Sequence, residues 1–181
     1  WEMQERGHEF LITASEKDVS YRLLNAYGFD YIKLGNYGKS LIQKAINLPL
    51  MDLRMYNAIK DFNPDVCIGS GSIRVAHAAS MLRSTSILLE STEHSGEQHR
   101  LYIPFVNTIL TPSCFKKDLG AKQIRFNGYK ELMYLHPNRF TPNPAVLTEL
   151  GLAEGDPFII VRFVSWQASH DVGYNGLTLD T

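Results

Sequence analysis

The sequence predicts an α/β protein: a doubly wound parallel sheet with helices packed on it. Three observations carry that expectation. Short apolar segments alternate along the chain with longer ones at helical spacing. The apolar segments show little period-two alternation, so they read as parallel strands covered on both faces. Glycines and prolines close several of the segments, where such a chain turns.

The elements follow in order. Trp1–Gly7 reads as the last turns of a helix closed by a glycine. His8–Ala14 reads as a short strand. Ser15 is a candidate cap for a helix running through Val19, Leu23 and Leu24 to Gly28. Asp30–Leu34 is the next strand. A long helical stretch spans about Ser40 to Phe62, with Leu41, Ala45, Leu48, Met55 and Ile59 near helical period. Pro49 is expected to kink it or split it. Pro64–Gly69 is a strand, Ser72–Leu82 a helix and Ser86–Glu90 a strand. Gly96–Pro104 is a short helix, Val106–Thr111 a strand ended by Pro112, and Lys122–Asn127 a further strand. Pro137, Asn138, Pro142, Asn143 and Pro144 read as a linker into a helix from Pro144 to Leu150. Phe158–Val164 is then the first strand of a second domain. The expected division is residues 1–140 and 141–181.

Composition bounds the function classes. The chain has 181 residues, 44% hydrophobic and 20% charged, with net charge −1. That suits one well-buried domain and is too short for two of usual size. The scattered Lys and Arg give no nucleic-acid footprint and no polybasic membrane anchor. No stretch is apolar enough to span a bilayer as a helix. Cys67 and Cys114 stand far apart without metal-ligand spacing, so they read as free thiols in a reducing cytoplasm, and no metal is expected. The start inside a helix, and a final Leu177–Thr181 with nothing to pack against, suggest truncation at both ends.

Chemistry is expected beyond the carboxyl ends of the strands. Gly38-Lys39-Ser40 is not a P-loop, because Lys33 stands where that motif needs a glycine. Gly69-Ser70-Gly71-Ser72 joins a strand to a helix, where backbone N–H groups face an anion. Arg74 replaces the last glycine of the dinucleotide pattern, so a standard NAD site is not expected. The same turn also serves as a tight bend needing glycine. Glu90, Thr92, Glu93 and His94 crowd the next strand end, and a carboxylate beside an imidazole suits acid–base work. The alternative there is a helix cap. His77 reads as a structural histidine, and His99 with Arg100 as a solvated helix face. Tyr129, Lys130 and Glu131 end the last strand of the first half, at a cleft or in an ordinary turn. Arg162, Ser165 and Trp166, followed by His170-Asp171, end the final strand, where Arg and a hydroxyl suit phosphate oxygens.

Several strings together carry a resemblance. They are Thr92-Glu93-His94, Asn127-Gly128-Tyr129-Lys130-Glu131-Leu132, Leu135-His136-Pro137-Asn138-Arg139-Phe140 and Arg162-Phe163-Val164-Ser165-Trp166. With Arg6-Gly7-His8 and Tyr37-Gly38-Lys39-Ser40, the chain resembles the domain-of-unknown-function family three-five-four over nearly its whole length. Members are described as glycosyltransferases of GT-B type, grouped with non-hydrolysing UDP-N-acetylglucosamine 2-epimerases. The resemblance implies the N-terminal Rossmann-like half of a GT-B fold, plus the first strand of a second Rossmann-like domain. It implies a first strand missing from the N-terminus, with marginal stability or association as the consequence.

The activity it implies is transfer of a sugar from a nucleotide-sugar donor to an acceptor, in surface glycan or glycoconjugate synthesis. Glu93, His94 and Glu90 are then the catalytic candidates. Ser70, Gly71, Ser72, Thr92, Tyr129, Lys130, Glu131, Arg162, Ser165 and Trp166 are the substrate-binding ones. The nucleotide sugar is substrate and no separate cofactor is implied. The alternatives are a UDP-sugar 2-epimerase, for which Glu90 matches one of two expected acids, and a non-catalytic sugar-nucleotide-binding module. A homo-oligomer is compatible with each.

Overall fold

The computed structural model describes residues 2–16, 19–36, 41–138 and 140–161. The chain divides into two compact units, residues 1–127 and 128–181. The first unit carries α1 (Glu2–Glu5), β1 (Thr13–Ser15), α2 (Ser20–Ala26), β2 (Ile32–Gly35) and α3 (Leu41–Ile59). It continues with β3 (Val66–Ser70), α4 (Ile73–Leu82), β4 (Thr85–Leu89), α5 (Gly96–Tyr102), β5 (Thr108–Pro112) and β6 (Gln123–Phe126). The second carries a 3-10 helix, Lys130–Leu135, and α6 (Ala145–Glu149).

All observed pairing is parallel, as the apolar strand cores predict. The strands form two sheets, β1-β2 and β3-β4-β5-β6. In the larger sheet each strand neighbours the next in the chain. Right-handed crossovers then put the connecting helices on one face. Accordingly α4 packs on β3 and β4, while α3 and α5 pack on α4. That face is dry: Leu88 and Ile109 are fully buried against Val75, Ala76, Tyr102 and Phe115. Burying such a side chain contributes about 2 kcal/mol. The opposite face carries Val66, Ile68 and Ile124, which are 47%, 62% and 55% exposed.

The two sheets share one core. Leu34 of β2 clusters with Met55 and Ile59 of α3 and with Leu88 of β4. Beyond the strand ends, Arg74 Nη2 on α4 donates to Ser15 Oγ on β1 at 3.1 Å. Burial lowers the Arg74 guanidinium to about 10, still charged at neutral pH.

Several elements depart from expectation. α3 runs as one helix through Pro49 and is not split. Its buried Met51, Met55 and Ile59 recur at four-residue spacing, and that packing outweighs the missing N–H. Ser15 ends β1 and caps no helix; Val19 occupies the N-cap of α2. Of the expected His8–Ala14 strand only Thr13 and Ala14 join the ladder with β2, which runs one residue further to Ser15. Phe158–Val161 form no strand and are 54–89% exposed, and the rest of that expected strand lies outside the described residues.

Candidate functional site

The turn after β3 is built on Gly71. Its φ is +51°, and its N–H donates to Leu89 O at 3.0 Å, tying the turn to β4. Ser72 then caps α4, its hydroxyl accepting from the Val75 N–H at 3.4 Å. A Cβ on residue 71 would stand 2.8 Å from Glu90 Oε2. Glycine is therefore required twice: for the left-handed backbone and for the carboxylate packed beneath it.

Glu90 is 3% exposed and fully engaged. Oε1 accepts from the Ser91 and Thr92 N–H groups at 2.9 and 2.8 Å. Oε2 accepts from the Tyr102 hydroxyl at 2.9 Å. A buried carboxylate is tolerated when its lone pairs are filled in this way. Burial, then the neighbouring Glu90 charge, pushes the Tyr102 phenol far above its ordinary range, so it stays a donor.

His99 completes the cluster. Lys117 Nζ donates to its Nδ1 at 3.2 Å, which assigns the ring proton to Nε2. Nε2 stands 3.7 Å from Glu90 Oε2, beyond hydrogen-bond length. Burial lowers the His99 pKa; the Glu90 charge opposes that shift and Lys117 adds to it.

The structure thus brings Gly71, Glu90 and Thr92 together over Tyr102 and His99. The expectation of a solvated His99 is corrected: the ring is 2% exposed. Ser95, His99 and Tyr102 are the buried positions along α5, at helical spacing. That spacing was the sequence signal for His99 and Tyr102; Lys117, from the loop after β5, had none.

Glu93 and His94 occupy the same strand-end loop, nearer solvent. Glu93 Oε1 accepts from the Lys116 N–H at 2.9 Å, and His94 is exposed. Ser70 is exposed and Ser72 half-buried beside them in the fold. Tyr129, Lys130 and Glu131 lie in the second unit, where Tyr129 caps the 3-10 helix and Lys130 Nζ stands 3.8 Å from Glu131 Oε1. Arg162, Ser165 and Trp166, like Lys39 and His170-Asp171, lie outside the described residues.

His77 is structural, as expected. Nδ1 meets Asp52 Oδ2 at 2.7 Å, Nε2 meets Leu101 O at 3.0 Å, and the ring edge packs on Phe105 at 4.5 Å. No group of three His, Cys, Asp or Glu suited to a metal occurs among the described residues. No described helix is long and apolar enough to cross a membrane.

Known proteins share this architecture. The solved structure of MurG from Acinetobacter baumannii, of GT-B fold, superposes with a TM-score of 0.52 at 14% identity, covering 70% of this chain and 38% of that one. At that identity the likeness is one of fold. An uncharacterised protein of Methanocaldococcus jannaschii is 23% identical over 167 residues, 88% of this chain and 49% of the relative. The chain therefore spans about half the length of the curated relative it matches. The family described as proteins of unknown function, DUF354, matches residues 1–175, and the chain belongs to that family.

Proposed function

We propose that the longer polypeptide is a GT-B-type glycosyltransferase that moves a sugar from a nucleotide-sugar donor to an acceptor hydroxyl, in the making of a surface glycan or glycoconjugate. One observation carries this reading: a glycine turn at a parallel strand's carboxyl end, packed against a buried carboxylate, with Glu93 and His94 on the adjoining loop. The GT-B likeness of the fold supports it.

In this scheme His94 or Glu93 takes the proton from the acceptor hydroxyl. The freed oxygen bonds to the anomeric carbon as the carbon–oxygen bond to the nucleoside diphosphate breaks. Ser70, Gly71 and Ser72, at the start of α4, face the substrate. Thr92 shares the Glu90 loop. Glu90, the third acid candidate, acts as a positioning residue: it is buried and accepts from Ser91, Thr92 and Tyr102. Tyr129, Lys130, Glu131, Arg162, Ser165 and Trp166 are assigned to the remaining substrate contacts, with Arg162 on the leaving phosphates.

The test uses the longer polypeptide. Its thermal shift is screened against nucleoside diphosphates and their sugars, and the binding donor is assayed for transfer. Release of nucleoside diphosphate only with acceptor, abolished by His94→Ala or Glu93→Gln, is the expected result. Turnover of donor without acceptor would make it an isomerase. No stabilisation by any nucleotide sinks the sugar-nucleotide reading.

A further inference from the structure

A cavity of about 750 Å³, open to solvent, runs along β2 from Ile32 to Gly35, between Tyr21 of α2 and Arg54, Asn57 and Ala58 of α3, with Glu16 just after β1. None of the Gly71–Glu90 cluster lines it. Its polar walls are Glu16, Tyr21, Lys33, Arg54 and Asn57, with Gly35 at its floor.

We propose that this cavity is an anion subsite, taking a compact oxyanion, phosphate or carboxylate, between Lys33 and Arg54. Lys33 Nζ is 5.6 Å from the centroid of the Tyr21 ring, which steadies the ammonium without neutralising it. Arg54 Nη1 donates to Leu34 O at 3.5 Å, a long bond that leaves the rest of the guanidinium fork for a ligand. Among the described residues no carboxylate stands within ion-pair distance of either cation.

Gly35 makes the approach of Arg54 possible. Its φ is +79°, and a Cβ there would stand 3.2 Å from Arg54 Nη1. The Glu16 N–H donates to Gly35 O at 3.1 Å, which fixes the two strand ends together. Among the described lining residues Glu16 is the one carboxylate, against the two cations Lys33 and Arg54. Asn57 adds neutral N–H donors. Two cations lining one cavity suit an oxyanion better than a sugar ring or a base.

The proposal stands apart from the transferase reading, and a failed donor screen leaves it intact. The test is a two-dimensional amide NMR titration of the 181-residue chain with inorganic phosphate, and separately with acetate at matched ionic strength. Saturable shifts at Glu16, Gly35 and Asn57 are expected. Lys33→Gln and Arg54→Gln should each weaken binding about fivefold or more, as loss of one charge-assisted contact does. Gly35→Ala should act like Arg54→Gln, Glu16→Gln should tighten binding, and Lys116→Gln, outside the cavity, should change nothing. Saturation by phosphate alone identifies a phosphate-bearing ligand; saturation by both admits a carboxylate. Absence of saturable shifts overturns the proposal. So does undiminished binding in a folded Lys33→Gln/Arg54→Gln double variant.

Discussion

Alanine at position 71 adds a single methyl group and meets two costs at once. The backbone there has φ +51°, where an L side chain costs about 1–2 kcal/mol. The new Cβ would also stand 2.8 Å from Glu90 Oε2. A flexible carboxylate would swing aside, but this one is held by Ser91, Thr92 and Tyr102 in a buried cage. Retreat breaks at least one charge-assisted hydrogen bond, about 1.5–3 kcal/mol. The expected loss for Gly71→Ala is therefore about 3–4 kcal/mol, read by urea unfolding of the 181-residue chain. Gly120→Ala is the internal control. Gly120 has φ +87° with nothing within 4 Å of the added Cβ, so it bears the backbone cost alone. If Gly71→Ala costs no more than Gly120→Ala, Glu90 is not locked beneath the turn and the account of the site is wrong.

Three further outcomes follow from the same geometry. Tyr102→Phe removes the donor to Glu90 Oε2 without changing shape, and should cost about 1.5–3 kcal/mol in urea unfolding. His99 has a folded pKa below its unfolded one, chiefly through burial, so the unfolded chain binds this proton more readily than the native one. Its stabilising contribution is full above the unfolded value and falls as pH drops through it; the stability slope between about pH 7 and 5 should flatten in His99→Gln. His77→Ala leaves Asp52, only 17% exposed, without its ring partner and frees the Leu101 carbonyl. A loss of about 2–3 kcal/mol is expected from thermal unfolding, and a loss near zero would show that the pair contributes nothing.

The sheet was legible where local chemistry and tertiary structure agree. Val66–Ser70 and Thr85–Leu89 are apolar runs bounded by turn residues, and both form strands near the expected limits. The glycine turn at Gly69–Ser72 was legible as strand-to-helix punctuation, and Ser72 does cap α4. The carboxylate under Gly71 was not, because only the parallel pairing of β3 with β4 brings Glu90 there. His99 looked solvated beside Glu97 and Arg100, yet α5 turns it inward with Ser95 and Tyr102. Pro49 was expected to kink or split α3; it does not split it, and Met51, Met55 and Ile59 are buried along the same helix, which the local rule ignores. Lys33 of β2 and Arg54 of α3 line one cavity, and no local pattern encodes that.

The strand order also bears on how the chain reaches its fold. In the four-stranded sheet every partner is the next strand in sequence, from β3 through β6. Each new ladder closes a loop of one crossover only, so its entropic cost is small and never waits on a distant segment. β3, α4 and β4 form the first such unit in chain order, with Leu88 and Val75 in one buried cluster. β5 and β6 then add in turn to an existing edge. Assembly in this order matches the direction of synthesis, so the sheet can grow on the ribosome as each strand emerges.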